Sequence, residues 1–358
     1  MQTSGPNSAD VSLNVVAIGG GTGLSTLLKG FKEFVPAPHE PGHAAASRHG
    51  GIAIGDLSAV VTVSDDGGSS GRLRKEMNIL APGDVRNCLV ALSEDEGLLA
   101  QLFRYRFAAG ADRSAPSLEG HSFGNLFLAA LTAMTGDFAE AVRLASEILA
   151  TRGRIFPATS ANVQLIAEMD DDSVVRGETQ ITASSRRIVR VRLDSAAAEP
   201  LPQTLEAIAH ADLITIGPGS LFTSLVPNLL VRGIPEGIAA SHALKIFVCN
   251  LMTQANESLG LSACDHLRAL ERHAGRQLFD VALVNTASLT RNLTARYALE
   301  GASQIVGDID AIEKTGVRVV SGDFVEEHEN ARHAAGRVAE ECVRLAGAHQ
   351  QRRLAARA

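Results

Sequence analysis

Six short runs along the chain, at 13–18, 59–63, 212–216, 245–248, 281–284 and 317–320, are apolar at nearly every position, and most are followed by turn residues. Apolar residues on successive rather than alternate positions describe strands covered on both faces, which is the environment of a parallel sheet. Most are separated by helix-period stretches, so the pattern predicts an α/β fold with a doubly wound, mostly parallel sheet whose ligands gather at the carboxyl ends of the strands. Four helical patterns follow one another at 84–92, 96–107, 123–134 and 137–149, with Asp84 and Asp137 as N-cap candidates, which predicts a helical layer inserted over 84–150. Over 163–193 the period shortens to alternating pieces broken at Gly177 and at 183–185, consistent with a small antiparallel excursion. Residues 1–12 are expected to be a disordered lead-in and 13–328 a single domain. Residues 329–358 are expected to form a helical C-terminal tail, peripheral to that domain.

Composition narrows the function classes. The net charge of −7 gives no general attraction to nucleic acid, and the absence of Trp removes the strongest base-stacking side chain. No apolar segment reaches membrane-spanning length, and the polar start lacks a secretion layout, so a cytoplasmic protein is expected. Cys88, Cys249, Cys264 and Cys342 are far apart and show no zinc or disulfide spacing; they read as small buried residues in a reducing compartment. Three histidines, His39, His43 and His49, lie in a Pro/Gly/Ala-rich stretch at 36–51 that reads as a solvated loop before it reads as a metal site.

The candidate chemistry sits where strands end. The first strand breaks into Gly19-Gly20-Gly21-Thr22-Gly23-Leu24, four glycines within five residues, before a helix over about 24–34. Backbone N–H groups freed of side chains, with the helix dipole behind them, suit a phosphate. The spacing fits neither the dinucleotide fingerprint nor the P-loop, and a tight structural turn is the alternative. A second strand runs into Ser64-Asp65-Asp66-Gly67-Gly68-Ser69-Ser70-Gly71-Arg72, whose carboxylates suit a divalent cation or sugar hydroxyls and whose arginine suits a phosphate. The competing reading there is an Asp-capped turn. Asn87 follows Asp84 and Arg86 at a helix start, and His121 and Asn125 flank another; His121 is a general-base candidate, though a lone histidine is more often a capping residue. Gly217-Pro218-Gly219-Ser220 repeats the strand–glycine–helix order, and Asn250 and Thr253 follow the strand at 245–248 with amide and hydroxyl groups that could read a base or sugar.

The ordered blocks GGGTGLS, VTVSDDGGSSGRLR, PGDVRNCLVAL, GHSFGNLFLAALTAMTGDF, IGPGSLFTSLVPNLLV and VCNLMTQ resemble the gluconeogenesis factor family, YvcK-like proteins of the CofD-like group, over about 13–325. The resemblance implies a Rossmann-like fold in a cytoplasmic bacterial protein needed for cell shape and wall synthesis on gluconeogenic carbon sources. It implies binding of a UDP-sugar, notably UDP-N-acetylglucosamine, without established turnover and without a cofactor. Residues 19–24 and 217–220 would then contact phosphates, and Asp65, Asp66, Arg72, Asn87 and Asn125 would line the same crevice. A protein partner in envelope synthesis is implied, and a homodimer is the assembly expected.

The other branch of the group resembles 2-phospho-L-lactate transferase. In that reading Mg2+ held by Asp65 and Asp66 would orient an acceptor hydroxyl while the glycine loops hold nucleotide phosphates. A structural scaffold with vestigial loops is the third reading. The chain departs from the factor pattern over 256–266, where Leu261 stands in place of a usual tyrosine and removes a stacking surface; the Arg296-Tyr297 pair is kept, so Arg296 is expected to reach a diphosphate. The stretch at 36–51 is longer than the family's, and the C-terminal helix does not follow its usual end.

Overall fold

A computed structural model describes residues 11–37, 50–94, 97–108, 118–196 and 198–356; the three loop histidines and residues 1–10 lie outside these. In chain order the strands are β1 (Val11–Gly19), β2 (Ile52–Val61) and β3 (Arg154–Pro157), then β4 (Leu165–Met169), β5 (Val174–Arg176) and β6 (Ile188–Leu193). They continue with β7 (Leu213–Ile216), β8 (Leu244–Val248), β9 (Val281–Asn285), β10 (Arg318–Gly322), β11 (Val325–Glu327) and β12 (Ala331–His333). Seven of them form one sheet in the order β10-β9-β8-β7-β1-β2-β3, and every neighbouring pair is parallel. The expected α/β sheet is present, with the antiparallel excursion as a separate sheet β5-β4-β6 and a final β11–β12 hairpin.

Alternation along each strand sends side chains to two cores. Val16, Ile18, Ile214 and Ile216 meet the small sheet and later helices on one face, while Val15, Ala17, Leu213 and Ile246 face the other. That second face is covered by α1 (Gly21–Lys32), by α3 (Gly83–Leu92), which follows α2 (Gly68–Met77), and by the C-terminal helix Ala335–Ala355. The C-terminal helix is therefore no peripheral tail: Val338, Cys342, Val343 and Leu345 are buried in this core, and the helix packs on α1. The inserted layer continues with α4 (Leu98–Arg104), α5 (Phe123–Thr135) and α6 (Phe138–Ile148), close to the pattern's bounds. Asp137 caps α6, its carboxylate accepting the Glu140 N–H at 2.7 Å. Asp84 is not an N-cap; Pro82 holds that position and Asp84 lies within the first turn. Val11 and Ser12, read as part of the lead-in, belong to β1.

Because β1 connects outward to β2 and β3 on one side, while β7 starts the run to β10 on the other, the connection reverses direction between β1 and β7. A crevice opens at such a switch point, beyond the carboxyl ends of the two strands.

Candidate functional site

The Gly19–Leu24 and Gly217–Ser220 loops leave β1 and β7 at this switch point and touch. A Cβ built on Gly23 would strike the Pro218 carbonyl oxygen, and would stand 2.6 Å from the Pro218 carbonyl carbon and 2.9 Å from the Gly219 nitrogen, so only glycine permits the approach. Gly21 has φ +63°, a left-handed conformation that starts α1 without a Cβ penalty. The Asn228 amide donates to the Gly19 carbonyl at 3.2 Å and to the Ser224 carbonyl at 2.8 Å, which ties the first loop to the helical turn that follows the second.

Above them opens a cleft of about 600 Å³. Its floor is Gly20, Gly21, Thr22 and Gly23 with Pro218, Gly219 and Ser220. First-turn amides of a helix lack intrahelical acceptors and carry the positive end of the dipole, so this floor suits an anion. One of those amides, that of Gly21, is already bonded to the Asp84 side chain; burial, with Asp65 close by, raises the Asp84 pKa to about 6. Gly19 lies beneath the floor, and Leu24 is wholly buried in the core, so neither side chain position reaches a ligand.

One wall is carboxylate-rich. Glu178 begins α7 (Glu178–Ala183) and faces the cleft; burial, reinforced by Asp65, Asp84, Glu257 and Asp66, raises its pKa to about 9. Glu257 is buried and its Oε1 accepts the N–H groups of Phe222 (2.7 Å) and Thr223 (3.1 Å), capping the π-helical turn Leu221–Leu225. The opposite wall is mixed apolar and basic. Leu251, Met252 and Tyr297 line it, and Tyr297 stands on the helix Arg291–Leu299 with its hydroxyl accepting from the Ala331 N–H at 3.1 Å. Arg332 and His333 come from β12; the His333 Nε2 lies 3.0 Å from the Cys249 carbonyl, and burial lowers its pKa to about 4.

Of the expected ligand residues, Asn250 and Thr253 line the cleft while also bonding to protein groups, and several others lie outside it. The Asn250 amide clips Gly219 at both ends, accepting its N–H at 2.9 Å and donating to its carbonyl at 2.7 Å, so it shapes the loop. The Thr253 hydroxyl is taken up by Ser303. Arg72 donates to the Glu119 carbonyl at 2.6 Å, outside the cleft; Arg74 takes the internal place instead, donating to the carbonyls of Ser64 and Asp65. Asp66 accepts the N–H and hydroxyl of Thr179, and Asp65 accepts the Gly67 N–H at 2.8 Å. These two carboxylates support the acidic wall without lining the cleft. Ser69 and His121 bond to each other at 3.1 Å, buried between α2 and α5, and Ser70 packs beneath α3 beside Gly83. Asn87 accepts from Arg86 at 2.7 Å, while Asn125 is buried in α5. Arg296 points to Asn330 at 2.8 Å, and its neighbour Tyr297 is the member of that pair which reaches the cleft. Leu261 packs against the core on the other side, so its departure from the family removes nothing from the cleft. Among the described residues no three His, Cys, Asp or Glu side chains are arranged to hold a metal ion.

Reasoning from sequence missed Glu178, Glu257, Tyr297 and His333. Tyr297 is one of two tyrosines in the chain, a usable signal, whereas nothing near 178 marks that glutamate.

Comparison with known proteins follows the same outline. The family described as 2-phospho-L-lactate transferase CofD matches residues 15–325. A gluconeogenesis factor from Halalkalibacterium halodurans is 45% identical over 91% of this chain and 94% of its own length. The gluconeogenesis factor of Bacillus subtilis is 44% identical over 92% of this chain and 97% of its own. A crystal structure of a UPF0052 family member from Bacillus halodurans superposes with a TM-score of 0.84 at 44% identity, over 93% of this chain and 99% of that one.

Proposed function

The chain belongs to the CofD-like family, among the gluconeogenesis factors, and from that premise we propose that it is a cytoplasmic regulator which binds a UDP-sugar of the UDP-N-acetylglucosamine type and acts on cell shape and envelope synthesis through a protein partner. The observation that carries the ligand class is the cleft at the switch point, floored by first-turn amides of α1 and by the Pro218–Ser220 loop. A diphosphate would lie on that floor, and a nucleoside base against Leu251, Met252 and Tyr297, an apolar wall with one aromatic face. The sugar would then face the Glu178 side, where a carboxyl group that keeps its proton at neutral pH can both donate to and accept from hydroxyls.

No cofactor is needed for this reading. The test is calorimetric titration with UDP-N-acetylglucosamine, with and without Mg2+, on the wild type, Tyr297→Ala and Arg72→Ala. Saturable binding without product, weakened by Tyr297→Ala and unchanged by Arg72→Ala, supports it. Failure of every uridine nucleotide to bind removes it.

A second reading is favoured by the crowding of Asp65, Asp66, Asp84 and Glu178, which a divalent cation would relieve. Carboxylate oxygens suit Mg2+, which commonly takes one or two of them together with substrate phosphates. Bound there, the ion would supply Lewis-acid chemistry for a transferase of the 2-phospho-L-lactate type. Asp65 and Asp66 would have to exchange their present bonds to Gly67 and Thr179 for the ion. Turnover lost in Asp65→Asn with binding retained would establish this second reading.

A further inference from the structure

His333 is held in both backbone and ring. Its backbone lies between the β11–β12 hairpin, where it pairs with Val325, and the C-terminal helix, which begins two residues later. The Ala334 N–H donates to the Phe324 carbonyl at 2.8 Å, and α1 abuts the start of that helix so closely that a Cβ on Gly30 would strike the Ala335 carbonyl. The ring is held by the Cys249 carbonyl, 3.0 Å from Nε2. A carbonyl oxygen only accepts, so Nε2 carries the hydrogen; with the pKa lowered by burial to about 4, the imidazole is neutral at pH 7. Nδ1 is therefore a bare acceptor.

No protein donor serves that acceptor. Among the described residues the ring makes no other hydrogen bond, and Nδ1 is not one of the unpaired polar atoms sealed from solvent. The space beside the ring is the cleft itself and a cavity of about 420 Å³ that continues it past Thr26, Arg332 and His333. A neutral acceptor, fixed in orientation and open to a cleft, is organised in advance to receive a donor from a ligand.

The surrounding wall selects which donor arrives. Alternation along β12 puts the part-buried Ala331 and His333 on one side of the strand and the exposed Arg332 on the other. Two residues of strand span ~7 Å, and the Ala331 N–H is tied to the Tyr297 hydroxyl, so His333 stands about that far along the wall from the tyrosine. A pyrimidine laid against Leu251, Met252 and Tyr297 has His333 within reach of its edge. Uracil carries an N–H at ring position 3, whereas cytosine has a lone pair there that would face the Nδ1 lone pair. We propose that His333 is the residue that reads the base, its Nδ1 accepting the N3–H of uracil and disfavouring cytosine. The assignment rests on the uridine nucleotide reading of the cleft.

The experiment measures displacement of UDP-N-acetylglucosamine from the full chain by UDP, CDP and N3-methyl-UDP, with thermal melting as the control for folding. On the wild type, UDP displaces about 10- to 100-fold more effectively than CDP or N3-methyl-UDP, the loss expected when a fixed acceptor is left without its donor. His333→Phe keeps a ring but has no acceptor, and His333→Gln keeps a donor for the Cys249 carbonyl without an acceptor at the Nδ1 position; each brings the three nucleotides within about 3-fold of one another by weakening UDP. A histidine that only props the hairpin would weaken all three alike and leave their ratios unchanged. Failure of UDP-N-acetylglucosamine to bind removes the uridine nucleotide reading and this assignment with it. Binding that UDP and CDP displace equally, as a ribose or sugar hydroxyl on Nδ1 would give, or that neither displaces, overturns the role of His333 alone, and so does a UDP preference that survives in both variants.

Discussion

Gly23→Ala separates the tertiary contact from local helix chemistry because the two predict opposite signs. Gly23 is the third residue of α1 with ordinary helical backbone, and replacing a helical glycine by alanine normally stabilises by ~1 kcal/mol. Its Cβ, however, would overlap the Pro218 carbonyl and come within 2.9 Å of the Gly219 nitrogen, both backbone atoms that cannot turn aside. Overpacking of this kind costs ~1–3 kcal/mol, and backbone against backbone puts it in the upper half of that range, so a net loss of about 1–2 kcal/mol remains. With ~2.1 cal/mol/K per residue over 358 residues, 1 kcal/mol corresponds to about 1.3 °C, so the melting temperature falls by roughly 1–3 °C. Scanning calorimetry of both proteins in one buffer measures it, and titration of UDP-N-acetylglucosamine into the same samples should register more than a 10-fold loss as the floor spreads. A melting temperature that rises by about 1 °C would mean that propensity governs, that the loops do not abut, and that the floor of the cleft is drawn wrongly.

Four further outcomes follow from the same geometry. Asn250→Ala leaves both backbone groups of Gly219 without their side-chain partner and should destabilise by ~1–3 kcal/mol in urea unfolding, whereas a residue kept only for a ligand would cost nothing in its absence. Glu178→Gln should raise stability in a pH-dependent way. Its carboxyl has a folded pKa of about 9 against a usual value near 4.5, so its favourable contribution is complete below about pH 4.5 and is lost as pH rises through 9. Melting temperatures of variant and wild type should therefore agree near pH 4.5 and diverge in the variant's favour by pH 8. Leu345→Ala should cost ~2–4 kcal/mol by denaturant titration because the C-terminal helix is part of the core; a loose tail would give less than 0.5. Tyr297→Leu should weaken uridine nucleotide binding about 10-fold while Leu261→Tyr leaves it unchanged, read by the same calorimetry.

What the sequence disclosed and what it hid divide along a physical line. Both-face burial makes parallel strands continuous apolar runs, so six of the seven sheet strands could be read, although β2 starts at Ile52, seven residues before the run at 59–63. The seventh, Arg154–Pro157, is an edge strand of four residues that carries an arginine and a proline, and an edge needs neither full burial nor every N–H. The C-terminal helix was legible as a helix but not as core, because its length and its alanines and arginines do not say which face is covered. Its burial depends on the sheet beneath it and on α1, which lies more than 300 positions earlier in the chain.

The site shows the same limit more sharply. Glycine loops at strand ends are local features, and both of them reach the cleft. The polar blocks beside them were equally conspicuous, yet Asp66 and Arg72 spend their hydrogen bonds on Thr179 and Glu119 outside the cleft, while Asn250 lines it with its amide tied to Gly219, and such allegiance is fixed only when distant segments meet. A dense polar motif thus reports that buried polar groups need satisfying as readily as it reports a ligand, since an unpaired polar group inside a protein costs ~1–3 kcal/mol. The residues that do face the cleft from afar, Glu178, Tyr297 and His333, come from a short helix, a late helix and a hairpin with no common spacing. For this fold the floor of the site is therefore encoded locally, at strand ends, while its walls are encoded by topology. Substitutions in the wall elements should change which ligand binds, and those in the floor should lower stability and binding together.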